Sequence, residues 1–171
     1  MPPPPLVAVL VVYVTVAIEA RRSAANERAL RAAGAEVVPD PSYPWMQGVY
    51  PLGFLAVAVE GWTRGAGWDA WAVAGMLLFA AGKAIKYAAI AALGPRWTFR
   101  VLVRRGVPLV SHGIYRALRH PNYVGVAGEI LGSALWMRAP ITGTLFAVTF
   151  GLILWTRIRI EERALGLAPR A

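Results

Sequence analysis

Two short stretches concentrate the side chains that could do chemistry. Residues 113–125, Gly-Ile-Tyr-Arg-Ala-Leu-Arg-His-Pro-Asn-Tyr-Val-Gly, carry Tyr115, Arg119, His120 and Tyr123. Residues 157–165, Arg-Ile-Arg-Ile-Glu-Glu-Arg-Ala-Leu, carry Arg157, Glu161 and Glu162. His120 precedes Pro121, a residue suited to the first turn of a helix because its missing N–H costs nothing there. Arg119 and His120 therefore stand at the positive end of a helix, where free N–H groups attract an anion such as a ligand carboxylate. Tyr115 and Tyr123 offer rings for stacking and hydroxyls for hydrogen bonds. Each feature also has a plainer reading. Tyrosines anchor interfaces, and Arg157–Glu161 or Arg159–Glu162 could be helix-surface pairs worth about 0.2–0.5 kcal/mol.

Between the two stretches, Gly125, Gly128 and Gly132 recur at helical spacing. Such a smooth stripe admits a second backbone or a flat ligand. Glu129 shares that face. A carboxylate in an apolar span is expensive, so it points to function, here attraction of a cationic group. Its structural alternative is a buried pair with Lys83, Lys86 or an arginine. Gly65-Ala66-Gly67 is the only Gly-x-Gly, with no strand before it and no third glycine, and reads as a turn. No His, Asp and Glu grouping has metal-ligand spacing, so no metal is expected.

Arg-His-Pro-x-Tyr-x-Gly, followed some 30 residues later by Arg-x-x-x-Glu-Glu, resembles the isoprenylcysteine carboxyl methyltransferase family. The resemblance is strongest over 93–165. It implies a membrane-embedded enzyme that uses S-adenosylmethionine (SAM) without a Rossmann domain. It further implies that Tyr115, Arg119, His120, Pro121, Tyr123, Gly125, Glu161 and Glu162 hold the cofactor. Arg157 would then serve the reaction by orienting the acceptor's oxygen anion, and Glu129 by attracting the sulfonium or the cofactor ammonium. An acceptor already ionised near neutral pH needs alignment, desolvation and a grip on its oxyanion more than a general base. His112, outside the motif, is read as a loop residue.

The elements that must position these residues follow from composition. The chain has 171 residues, 57% hydrophobic and 16% charged, against about 25% charged in soluble domains, and a mean hydropathy of +0.50. This predicts an all-α integral membrane protein: one domain over 1–171 with about five transmembrane helices, to which the resemblance adds a cytoplasmic-side cofactor pocket. The spans are 6–20, 44–62, 68–93, 121–137 and 141–156, the first and fourth being short against the roughly 20 residues a crossing needs. An outside N-terminus and inside C-terminus put all but two of the 18 Lys and Arg residues inside. The +9 net charge therefore marks membrane lipids rather than nucleic acid as the partner. Zero cysteines exclude disulfides, thiolate metal sites and cysteine nucleophiles. Lys83 and Lys86 are read as snorkelling toward the inner interface. Residues 21–33 continue the first helix as a solvated face, ended by Gly34 and an extended linker. Residues 97–110 form a short hairpin or ordered turn over the site.

The resulting expectation is a SAM-dependent O-methyltransferase of a lipophilic acceptor at the cytoplasmic face of a bacterial inner membrane. The acceptor is a prenylcysteine-like carboxylate or an alkylpyrone-type enol, since Arg22 and Asn26-Glu27-Arg28 resemble small bacterial members associated with such lipids. The alternatives are a phospholipid N-methyltransferase and a non-catalytic membrane scaffold. Oligomeric state is not legible.

Overall fold

The structure is a computed structural model that describes residues 1–167. Among them are five α-helices: α1 (Pro4–Ala32), α2 (Tyr43–Thr63), α3 (Ala70–Leu93), α4 (Pro121–Trp136) and α5 (Pro140–Ala164). Three are long and apolar enough to cross a membrane, namely Pro4–Ala32, Ala70–Arg96 and Pro140–Ala164. At 16 residues α4 is only about 24 Å long. It packs against all four other helices and most extensively against α3.

Backbone contact explains the α3–α4 seam. A Cβ on Gly82 would stand 2.7 Å from the Gly125 carbonyl oxygen, and one on Gly125 would meet the Gly82 carbonyl at the same distance. Gly75 and Gly132 continue the seam toward Trp136 and Phe79. The glycine stripe of α4 is thus occupied by a helix. Across the molecule, α2 meets α5 through Tyr50, Phe54, Phe146 and Phe150, whose rings lie 4.9–6.4 Å apart. Glu60 fastens one end of that contact: it accepts the Thr142 N–H at 2.7 Å and the Thr142 hydroxyl at 2.6 Å, capping the first turn of α5.

At the other end α1 runs on as a helix past 20 and stops where Gly34 takes a φ of 81°. This extension is more than a solvated face. Ser23 is buried and its hydroxyl accepts the Phe99 N–H at 2.7 Å, while Asn26 donates to the carbonyls of Trp97 and Gly94. The segment after α3 is therefore fastened to α1. Of the hairpin or ordered turn expected within 97–110, a turn forms at Arg105-Gly106 and the hairpin does not. Instead β1 (Glu36–Val37) pairs antiparallel with β2 (Leu102–Val103), and Val38 N–H adds a bond to the Val101 carbonyl. The linker after α1, rich in β-branched valine and delivered beside 97–103 by those anchors, supplies the strand edge that a hairpin would have supplied itself.

Candidate active site

The anchored segment roofs a cavity of about 690 Å³, within the range of roughly 300–1,000 Å³ that small-molecule sites occupy. Its polar end is lined by Tyr115, Arg119, His120, Tyr123, Arg157 and Glu161, so the two motif stretches do converge in space. Its apolar end is lined by residues such as Val16, Met46, Val126, Phe150 and Leu154.

The polar end is built on helix termini. His120 is the residue before α4 and Pro121 its first, buried one. The His120 ring stacks on Tyr123 at 5.7 Å and 26°. Its Nε2 lies 3.1 Å from Glu162 Oε1, so this nitrogen carries the proton and donates to the carboxylate. Arg119 donates to the same oxygen at 3.1 Å. Next to Glu162 on α5, Glu161 accepts the Tyr123 hydroxyl proton on its Oε2 at 2.5 Å, and Arg157 Nε, one turn earlier on the same helix, donates to the Tyr123 oxygen at 3.0 Å. Burial, with the Glu161 carboxylate adding to it, pushes the Tyr115 phenol above its ordinary value, so it stays a hydrogen-bond donor.

Arg157 is buried, and its remaining prongs go to the Asp40 carboxylate and the Phe99 carbonyl. The pair with Glu161 on a helix surface is not what forms, because Asp40 and Tyr123 reach the guanidinium first. Likewise Glu162 is taken by Arg119 and His120, while Arg159 lies on the Trp155 ring. Asp40 escaped the sequence reading. Its position between two prolines looked like linker, yet it receives Ser42 N–H at 2.9 Å and its side chain is 4% exposed. Asn122 and Trp97, bonded side chain to side chain at 3.1 Å on the cavity wall, were also missed.

Four expected site residues stand elsewhere. Pro121, Gly125, Glu129 and Glu162 do not line the cavity. Gly125 faces α3, and Glu162 acts behind Arg119 and His120. Glu129, 1% exposed, accepts from Tyr50 at 2.5 Å and lies 3.3–3.4 Å from Lys83 and Lys86. Those lysines do not snorkel: both reach Glu19 of α1, at 2.7 and 2.6 Å. A long apolar helix that carries two lysines one turn apart can bury them when two other helices each bring a carboxylate. Among the described residues no group of His, Asp and Glu could hold a metal ion.

Comparison with known proteins fits this arrangement. The isoprenylcysteine carboxyl methyltransferase (ICMT) family profile matches residues 73–166, a window that contains both motif stretches. The chain belongs to that family. Its members are methyltransferases that draw the methyl group from SAM, and the chain is an enzyme of that class. A Bacillus subtilis (strain 168) relative, Uncharacterized protein YpbQ, is 31% identical over 160 residues, 94% of each chain. Protein-S-isoprenylcysteine O-methyltransferases A and B of Arabidopsis thaliana are 31% and 30% identical over 90 and 93 residues. Those matches take in 52% and 53% of this chain, and the chain spans about half the length of the plant relatives (46% and 47%). No solved structure matches the chain.

The residues fit the cofactor. An amino-acid tail needs a donor for its carboxylate and a carboxylate for its ammonium, and an adenine needs a flat wall. The polar end offers Arg119 and His120, Glu161, and the rings of Tyr115 and Tyr123.

Proposed function

We propose that this ICMT-family chain is a SAM-dependent O-methyltransferase of a lipophilic acceptor that works at the cytoplasmic face of a bacterial inner membrane. The observation that carries the reading is the single cavity with two characters. One end is lined by both motif stretches, the other by apolar side chains of α1, α2, α4 and α5. A water-soluble substrate would have no use for the second end. The plant relatives' name, protein-S-isoprenylcysteine O-methyltransferase, agrees with a prenyl-like acceptor. We read all five helices as crossing or entering the bilayer in one domain over 1–171. The N-terminus lies outside and the C-terminus inside.

Bound SAM supplies a methyl group on a positively charged sulfur. This chain's residues do the rest. Arg119 and His120 receive the amino-acid carboxylate, Glu161 its ammonium, and the Tyr115 and Tyr123 rings the flat base. Glu162 holds Arg119 and His120 in place. Arg157 keeps one face on the cavity while Asp40, Phe99 and Tyr123 fix its plane, so its remaining N–H groups can take the acceptor's oxygen. Glu129 contributes through the lysines and Tyr50 that it touches.

Calorimetric titration with SAM tests the assignment. His120→Ala and Glu161→Ala each remove a charge-assisted contact worth about 1.5–3 kcal/mol, roughly a 10- to 150-fold loss of affinity. Unchanged affinity in both variants would take the cofactor away from this end. Because the chain has no cysteine, single cysteines at Arg104 and Arg163 report topology cleanly. Labelling of either from outside would overturn the orientation.

A further inference from the structure

The apolar end of the cavity stops at a common depth. Its deepest lining residues are Val16 on α1, Tyr50 and Pro51 on α2, Val126 on α4 and Phe150 on α5. One turn further into the bundle stand Val12, Phe54, Ile130 and Phe146, all buried and none of them on the cavity wall. On α3, Lys86 lines the cavity and Lys83 does not. The helices run in alternating directions, so these steps point the same way: toward the N-terminus in α1 and α5, toward the C-terminus in α2 and α4. A tail entering from the polar end therefore meets a continuous layer of packed core.

Two rings form the centre of that floor, and they are held differently. Tyr50 donates its hydroxyl proton to Glu129 at 2.5 Å, stands edge-on to Phe54 at 4.9 Å and has the Lys86 ammonium 5.5 Å from its centroid. Swinging it aside would strand a buried carboxylate oxygen. Phe150 has no polar atom and is held by ring packing alone, 5.1 Å from Tyr50 and 5.8 Å from Phe146. Phe146 cannot retreat either. Its ring lies so close to the Gly53 backbone that a Cβ at Gly53 would collide with it. Interiors packed this way do not stretch to admit an extra methylene.

The floor matters because the other end of the acceptor is fixed. With its oxygen at Arg157, the acceptor starts two turns of α5 away from Phe150, about 10.5 Å of helix. A molecule gripped at one end and stopped at the other has a limited length. A tail that left between the helices would instead end in hydrocarbon as apolar as the cavity, and its length would carry no penalty. We propose that Phe150, backed by Tyr50, is the specificity-determining residue for the acceptor's tail: the cavity is blind, and acceptors whose tail runs past this ring are rejected. This rests on the methyltransferase reading above and adds which tails that site takes.

The test is a tail-length profile of methyl transfer, with the full chain in lipid nanodiscs at saturating SAM. The probes are N-acetyl-S-alkylcysteines and 6-alkyl-4-hydroxy-2-pyrones, each a series of unbranched tails lengthened stepwise. In the wild type, kcat/KM changes little up to a limiting length. Beyond it, kcat/KM falls roughly 10- to 100-fold within a few carbons, the penalty of overfilling a packed core. Phe150→Ala moves the limit outward by about four carbons, since one freed turn is about 5.4 Å and an extended chain advances about 1.2 Å per bond. Val16→Phe adds a ring on the cavity side without emptying the core and moves the limit inward. A flat wild-type profile, an unmoved limit in Val16→Phe, or methylation of neither series with SAM bound each overturns the proposal. So does a folded Phe150→Ala protein that loses rate equally at every length, which is what a packing residue alone would do. If that variant does not fold, the wild-type profile and Val16→Phe decide. A calorimetric SAM titration on the same preparations tells the two readings apart. Absent SAM binding sinks the methyltransferase reading and the proposal with it, whereas bound SAM with a flat profile sinks the proposal alone.

Discussion

The described residues contain two buried ionic networks, and they are built in opposite ways. The quartet of Glu19, Lys83, Lys86 and Glu129 is made by residues in the middle of three helices, each carried by a rigid backbone. The network around Arg157 is made at helix ends and in connecting segments: Asp40 before α2, Phe99 after α3, Tyr123 in the first turn of α4. The first is held by the glycine seam of α3 and α4. The second is held by hydrogen bonds that Ser23 accepts from, and Asn26 donates to, a segment with little secondary structure of its own. Charge placed mid-helix fixes how helices assemble. Charge placed on helix ends shapes a site that can still adjust to ligands.

That contrast is broken most directly by removing one charge from each network. Lys86→Ala leaves two buried carboxylates with one lysine, and Arg157→Ala strands Asp40. Each costs about 3–5 kcal/mol of stability, because an uncompensated buried charge is left behind. Thermal unfolding in detergent measures it. The charge-balanced pair Asp40→Asn with Arg157→Met sharpens the difference, since it should recover most of the stability and none of the methyl transfer. A double variant that recovers turnover would reduce Arg157 to a structural tie. Arg157→Lys gives a second view. One ammonium cannot serve Asp40, Phe99 and Tyr123 at once, so turnover at saturating SAM should fall well below wild type while SAM affinity holds.

A smaller loss is expected from Gly82→Ala. The added methyl meets the Gly125 carbonyl at 2.7 Å, and separating two helices costs about 1–3 kcal/mol. The same shift moves Lys86 and Glu129, so the acceptor KM should respond more than SAM affinity. Equal changes in both would show that the seam supports the whole cavity and not the quartet alone.

Local patterns explain what was legible in the sequence. The helices could be read because apolar runs, prolines at helix starts and Gly34 at a helix stop act within a few residues. The polar end of the cavity could be read because its residues are packed into two motif stretches, each on a helix terminus. Asp40 could not, since its partner is 117 positions away and its own neighbourhood looks like a linker. Glu19 sits among apolar residues much as Glu129 does, but only the fold shows that the two share a pair of lysines. The lysines were misjudged for the same reason: a snorkelling lysine and one reaching a carboxylate on another helix have identical local sequence. The strand pairing of 36–37 with 102–103 depends on anchors from Ser23 and Asn26, again contacts between distant segments.

The smallest effect belongs to Glu27, and it calibrates the others. Arg31 donates to Glu27 Oε1 at 2.7 Å, one turn apart on the C-terminal extension of α1, with the arginine side chain half exposed. Geometrically this bond equals the Glu19–Lys83 contact, also 2.7 Å. Distance alone would rank them together; burial separates them. An exposed pair at this spacing is worth about 0.3–0.5 kcal/mol, because water competes for both partners and ordering two long side chains costs entropy. Arg100, 3.6 Å from the same oxygen, adds little for the same reason. Glu27→Gln should therefore shift the unfolding midpoint barely, with the shift shrinking further in high salt. SAM affinity and turnover should stay at wild-type levels. A loss comparable to that of Lys86→Ala would mean that the extension of α1 is held by its charges and not by Ser23 and Asn26. The roof of the cavity would then owe its position to electrostatics, and the distinction between the two buried networks and the surface would fail.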